Sequence, residues 1–186
     1  MDRGRTKYKW RLPAVGTMAM GWTDRLSVSR SLEFEAGADE LWDAISEPGN
    51  LNHSHPFCRA NEVIRWERGH HSDQLVYLNG RTYIREFQTW DEGSGYTLLI
   101  GEEGGAQSYV VWEIESIDRR EARLTITVYP YILAKLPNLL AYIPHVAWVK
   151  PRLERYLDAV ISGFRYYLRE GEAVPRNHFG RHPWFS

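Results

Sequence analysis

Between residues 26 and 35 apolar and polar positions alternate. Leu26, Val28, Leu32 and Phe34 share one face with Arg30, while Ser27, Ser29, Ser31 and Glu33 take the other. A period of two predicts a half-buried strand. The period then changes. Leu41, Trp42 and Ile45 make a short apolar stripe behind Asp39 and Glu40, which suits a helix over 39–46 with acidic residues in its first turn. Pro48-Gly49-Asn50 ends it. Six more strand patterns follow, at 60–66, 73–79, 81–90, 96–102, 107–117 and 122–129, joined by short turn-forming stretches. Asn79-Gly80 between two strand patterns predicts a two-residue type I′ hairpin turn. Hairpin-length connections make this part of the sheet antiparallel.

The last long pattern is helical. Val149, Leu153, Tyr156, Leu157, Val160, Phe164, Tyr167 and Leu168 recur at three- and four-residue steps and form one broad apolar face. Pro151 suits the first turn of this helix and Gly171 its end. Ahead of it, Pro130, Pro137, Pro144 and Pro151 recur every seven residues in a stretch whose only charges are Lys135 and Lys150. Prolines break such a segment into short helical turns. It can serve as extra core, as a lid, or as a membrane or dimer surface.

Composition adds limits. The 186 residues are enough for one domain with a real core, and aromatic residues at 13% supply flat side chains for lining a cavity. The net charge of −1 gives no global attraction to nucleic acid, although residues 1–25 form a basic arm with Arg3, Arg5, Lys7, Lys9, Arg11 and Arg25. A mobile tail is the expectation for that arm. A single cysteine, Cys58, rules out an intrachain disulfide and fits a cytoplasmic setting. No apolar run reaches transmembrane length, so membrane spanning is not expected. The division read from these patterns is a basic arm over 1–25, a domain over 26–171 and an aromatic tail over 172–186. The tail's apolar density, with Phe179, Trp184 and Phe185, predicts docking on the domain or on a second copy in a homodimer.

The stretch Val28-Ser-Arg-Ser-Leu-Glu-Phe-Glu-Ala-Gly-Ala-Asp-Glu-Leu-Trp-Asp-Ala-Ile-Ser46 resembles the opening strand, small-residue turn and Trp-bearing helix of the START-like (SRPBCC) superfamily. That superfamily includes Bet v 1-type proteins, polyketide cyclase/dehydrase-like proteins and lipid-transfer domains. Leu51 to Pro56 resembles its second short helix, and Asn177 to Ser186 resembles the tail of bacterial members. The resemblance covers roughly 26–170 of the chain. It implies an α+β helix-grip fold: a seven-stranded antiparallel sheet wrapped around a long C-terminal helix, with two short helices after the first strand. It also implies a ligand cavity of roughly 300–1,000 Å³ between the concave sheet face and that helix.

Candidate chemistry is sparse. No Gly-rich phosphate loop, nucleophile elbow or Cys–His pairing appears, so no cofactor is expected and no catalytic residue is assigned. His53 and His55 lack a third ligand of recognised spacing, so no metal is expected; either could reach the cavity mouth as a hydrogen-bonding or acid–base group. His70-His71, in a turn, reads as solvent-facing. On the strand 81–90, Arg81, Tyr83, Arg85 and Phe87 share one face and Thr82, Ile84, Glu86, Gln88 and Trp90 the other. Either inward choice carries a charge or amide, so Arg85 or Glu86 orients a polar ligand group or pairs with a neighbouring strand. Tyr77, Tyr83, Tyr109 and Tyr129 are candidate hydroxyl donors, with Trp112 beside them. Leu136, Leu140 and Ile143 would hold a ligand from a lid, and Tyr156, Val160 and Phe164 from the helix. Three functions remain open: binding of a small apolar or aromatic molecule, a cyclase or dehydratase acting on a polyketide-like or aromatic substrate, and a protein-interaction module with a filled cavity.

Overall fold

The computed structural model describes residues 9–11 and 21–186. Most of the basic arm, with the expectation attached to it, lies outside the described residues. Seven strands, β2 (Val28–Phe34), β3 (Cys58–Glu67), β4 (His70–Tyr77), β5 (Thr82–Asp91), β6 (Gly95–Gly101), β7 (Gln107–Ser116) and β8 (Ala122–Tyr129), form one antiparallel sheet in the order β2-β8-β7-β6-β5-β4-β3. A short strand β1 (Lys9–Arg11) pairs with residues 89–91 of β5. Helices α1 (Ala38–Ser46) and α2 (Leu51–Ser54) follow β2. The chain closes with α3 (Asn138–Pro144), a π-helical turn (His145–Val149) and α4 (Lys150–Glu170). The class is α+β, and the long helix lies across the sheet as the helix-grip pattern requires.

The core is the layer between sheet and helix. Leu153, Leu157, Val160 and Phe164 of α4 are buried, Phe164 completely, and Tyr156 is partly buried. On the sheet side Leu124, Ile126 and Val128 of β8 meet this face. Arg30 projects from the same face of β2 as Val28 and Phe34 and pairs with Glu154 at 3.2 Å and Asp158 at 3.1 Å on α4. Gly163 is the point of closest approach: a Cβ there would lie 2.0 Å from the Ser54 carbonyl oxygen, so a hydrogen at this position lets α4 sit directly on α2.

Two local expectations need correction, and a choice left open between two faces is resolved. The β4–β5 connection is a three-residue loop over 78–80, not a two-residue type I′ turn: Val76 pairs with Thr82, Tyr77 N–H donates to the Arg81 carbonyl, and only Gly80 (φ 86°) is left-handed. The 130–148 segment is not a separate string of turns, because from Asn138 it is the beginning of the long helix. The π turn carries the helix through its prolines: the Lys150 N–H reaches back to the His145 carbonyl, and Pro151, which has no N–H, falls in the first turn beyond. The face of β5 that turns inward is Tyr83, Arg85 and Phe87, and a register shift between Phe87 and Thr89 then brings Trp90 in as well.

Candidate functional site

The concave sheet face and α4 enclose a narrow cavity of about 80 Å³. Leu75 and Tyr77 of β4, Tyr83 and Arg85 of β5, and Leu98 and Ile100 of β6 form one wall. Ser108, Val110 and Trp112 of β7 continue it toward β8. Leu153, Tyr156, Leu157 and Val160 of α4 form the roof. Leu51 and His55 close the α2 end, and Phe185 from the C-terminal tail packs on the same Tyr77 and Tyr156 rings that His55 meets. The volume falls below the roughly 300–1,000 Å³ expected of a ligand site. A wider hollow of about 330 Å³ lies elsewhere, between the end of β2 and the end of α4, where the charged Glu33, Glu35, Arg165 and Arg169 share the wall with Phe34 and Leu168.

Two polar devices border the cavity. The first is a hydrogen-bonded chain. His55, at the C-terminal end of α2, accepts the Phe57 N–H at Nδ1 (3.2 Å), which leaves Nε2 as the protonated nitrogen. Nε2 donates to the Tyr156 hydroxyl at 3.0 Å, and Tyr156 reaches Tyr77 at 3.0 Å. Either hydroxyl can donate in that second bond, and because His55 supplies a proton to the pair, one of the two tyrosine protons is left free at the cavity wall. Burial, reinforced by the Arg85 cation, pushes the His55 pKa down to about 3, so the ring is neutral at neutral pH. Burial pushes Tyr156 up to about 12 and Tyr77 well above its ordinary value. The chain is therefore a set of neutral donors.

The second device is the Arg85–Asp73 pair. Asp73 stands directly opposite Arg85 on β4, and both side chains are sealed from solvent. Arg85 Nε donates to one carboxylate oxygen at 2.7 Å and Nη2 donates to the other, a bidentate clasp. Burial alone would lower the Arg85 pKa, but the Asp73 carboxylate overrides it and holds it above the ordinary value. The alternative of a cross-strand ion pair thus describes Arg85, with the pair facing inward. Glu86 points outward.

The support behind these groups comes from side-chain amides. Asn50 donates to the Ala44 and Ile45 carbonyls and closes the end of α1. Asn52 accepts the Asn61 N–H at 2.8 Å, and Asn61 accepts the Leu51 N–H, so α2 is fastened to β3. This holds His55 in place.

Of the expected ligand-contacting residues, Tyr77, Tyr83, Arg85, Trp112, Tyr156 and Val160 lie on the cavity wall, with His55 at its end. Phe164 sits one layer behind, against Trp112 at 5.5 Å. The others are elsewhere. Tyr109 is three residues from Trp112, so the pleat turns it to the opposite face, where it meets Tyr129 at 6.0 Å. Leu136, Leu140 and Ile143 are exposed, Ile143 by 75%, and lie outside the cavity wall. Leu140 and Ile143 lie on the helical extension, and Leu136 in the turn just before it. His53 is also exposed and stacks on Tyr167 at 5.6 Å; on a helical turn, residues two apart diverge, which separates it from His55. His71 is not simply solvent-facing: it packs on Trp90 at 4.3 Å. Among the described residues no three His, Cys, Asp or Glu side chains gather as a metal site would need.

The tail docks on its own domain. Val174 N–H donates to the His53 carbonyl and Asn177 N–H to the Pro56 carbonyl, both at 2.8 Å. Farther on, Asn79 Nδ2 donates to the Trp184 carbonyl at 2.8 Å and Trp184 packs against Trp148.

This is the START/Bet v 1-like helix-grip fold. No protein-family profile matches the chain, and no curated protein matches it in sequence. Solved structures do. A protein from Arthrobacter aurescens superposes with a TM-score of 0.59 at 17% identity, covering 86% of this chain and 95% of that one. A START superfamily protein from Mycobacterium smegmatis gives 0.57 at 12% identity, covering 77% and 97%. The Zhui aromatase/cyclase from Streptomyces sp. R1128 gives 0.52 at 15% identity, covering 80% and 99%.

Proposed function

We propose that the protein binds a small, largely apolar molecule in the cavity between its sheet and α4. The observation that carries this reading is the wall itself: apolar and aromatic over most of its area, with one ordered hydrogen-bonded chain that ends in the Tyr77–Tyr156 hydroxyl pair. The free proton of the Tyr77–Tyr156 pair would be donated to an acceptor oxygen of the ligand, and Trp112 and Val160 would contact its apolar part. The Arg85–Asp73 clasp satisfies its own charges and serves to hold β4 and β5 in register behind Tyr77 and Tyr83. Solved structures with this fold include a START superfamily protein and an aromatase/cyclase, which supports use of the same space. Proton transfer is favoured less than binding, because His55 at about 3 and Tyr156 at about 12 sit far from neutral pH.

A second reading, a protein-interaction module, is supported by the small residual volume and by the exposed apolar row Leu139, Leu140, Ile143 and Trp148. Native mass spectrometry of the purified chain distinguishes the two. An adduct of small-molecule mass, lost when Val160→Phe fills the cavity, supports binding. Absence of any adduct, together with no aromatic compound giving a thermal shift that Val160→Phe removes, would sink the binding reading and leave the interaction module.

A further inference from the structure

We propose that residues 182–186 are an internal stopper: the Phe185 ring occupies the seat of a ligand's aromatic ring, and a ligand enters by displacing it. This rests on the binding reading above and adds what fills the site and what the site selects.

The seat is built for a flat ring. Phe185 is buried, 6% exposed, although it is the penultimate residue. Its ring lies 4.3 Å from Tyr77 at 26°, 5.2 Å from His182 at 14° and 4.6 Å from Tyr156 at 46°. Two of these neighbours, Tyr77 and Tyr156, are the members of the hydroxyl chain that face the cavity. The Phe185 ring offers them no hydrogen-bond acceptor. A planar aromatic ring bearing an acceptor oxygen, such as a phenol or an aryl carbonyl, would keep the stacking and also use the free proton of the Tyr77–Tyr156 pair.

Volume gives the second argument. With Phe185 in place only about 80 Å³ remains, room for a handful of waters and not for a ring with substituents. A ligand of useful size must take the phenyl's place.

The attachment of the tail gives the third. Its root is pinned by the main-chain bonds from Val174 and Asn177. Beyond the root the segment joins no strand. It is held by the Asn79 bond to Trp184, by His182 Nε2 donating to the Arg152 carbonyl at 3.0 Å, by Ser186 Oγ on Asn177, and by ring contacts. Residues 182–186 can therefore leave without opening the sheet, a local event. Because only the open form binds, the closed form weakens apparent affinity in proportion to its population. One buried phenyl makes that weakening roughly 10- to 100-fold.

The test uses the full chain and 2-naphthol as probe. Calorimetric titration should show Phe185→Ala binding 2-naphthol at least about tenfold tighter than the wild type. Hydrogen exchange on the wild type at saturating 2-naphthol should show residues 182–186 exchanging faster and β4 and β5 more slowly. Equal affinity in both proteins, abolished by Val160→Phe, would leave the cavity as the binding site and refute the stopper. No binding to a folded Phe185→Ala protein would overturn the ligand reading and the stopper with it. Should Phe185→Ala fail to fold, wild-type exchange decides alone: unchanged protection of 182–186 at saturation refutes the proposal.

Discussion

Replacing Asp73 with Asn would leave the Arg85 guanidinium buried opposite a neutral amide. Asp73 is fully buried and Arg85 is 2% exposed, so neither can turn to solvent without opening the β4–β5 pairing. Removing one partner of a buried pair costs about 3–5 kcal/mol, because the remaining charge has lost its compensation. Arg85 borders the cavity, and water entering there would soften the loss toward the lower figure. For a chain of this length each kcal/mol moves the melting temperature by about 2–4 °C, so Asp73→Asn should lower it by roughly 6–20 °C. The paired variant Asp73→Leu/Arg85→Met removes both charges at similar volume and should fall within about 2 kcal/mol of wild type, on either side. Urea unfolding followed by tryptophan fluorescence, with far-ultraviolet dichroism as a second probe, measures both. An Asp73→Asn loss under about 1 kcal/mol, or a double variant as damaged as the single one, would refute the reasoning.

Two further outcomes can be checked the same way. His55 is neutral when folded, with its pKa pushed down to about 3, and takes a proton near 6.5 when unfolded; the unfolded state therefore binds more protons between those values, and stability should fall as pH drops below 6.5, by up to about 1.4 kcal/mol per unit. A series of urea midpoints from pH 7 to pH 4 should show a shallower slope for His55→Gln, and identical slopes would remove His55 from the account. Gly163→Ala, a change that ordinarily favours a helix, should instead cost about 1–3 kcal/mol because the new Cβ meets the Ser54 carbonyl at 2.0 Å; a stabilised variant would mean that α4 does not rest on α2.

The legible parts of the sequence were those where one period persists. Alternation placed strands such as 122–129 to the residue, and the three–four repeat from Leu153 to Phe164 found the helix face that is buried. Tyr77, Tyr83, Trp112 and Val160 reached the cavity wall on the same reasoning. What failed depended on counts of single residues. A two-residue turn at Asn79-Gly80 pairs Asp73 with Glu86; the three-residue loop that forms shifts the register by one and brings Asp73 opposite Arg85. The buried ion pair was hidden by that one step. The short helix at Leu51 to Pro56 was legible, but which of His53 and His55 it turns toward the cavity was not: one helical turn sends them apart. Gly163 gave no signal, because nothing local says that another backbone will lie against it. Phe185 was visible as an apolar residue in a tail that had to dock, yet no pattern in the tail names the cavity as its destination.

The strand order has a consequence for how the chain folds. From β3 to β8 every pairing joins sequence neighbours, and each hairpin can form from its own turn outward. Two pairings are different in kind: β1 lies beside β5, and β2 lies beside β8, where the Ser31–Thr125 hydroxyl contact joins residues 94 apart in sequence. Closing so long a loop costs entropy before any contact repays it. Arg30, reaching from β2 to Glu154 and Asp158, adds contacts that exist only once α4 has also arrived. The edge strand that comes first in the sheet is thus the one whose place waits on the end of the chain, so a nascent polypeptide leaving the ribosome can assemble the meander early but cannot complete the sheet until β8 has emerged.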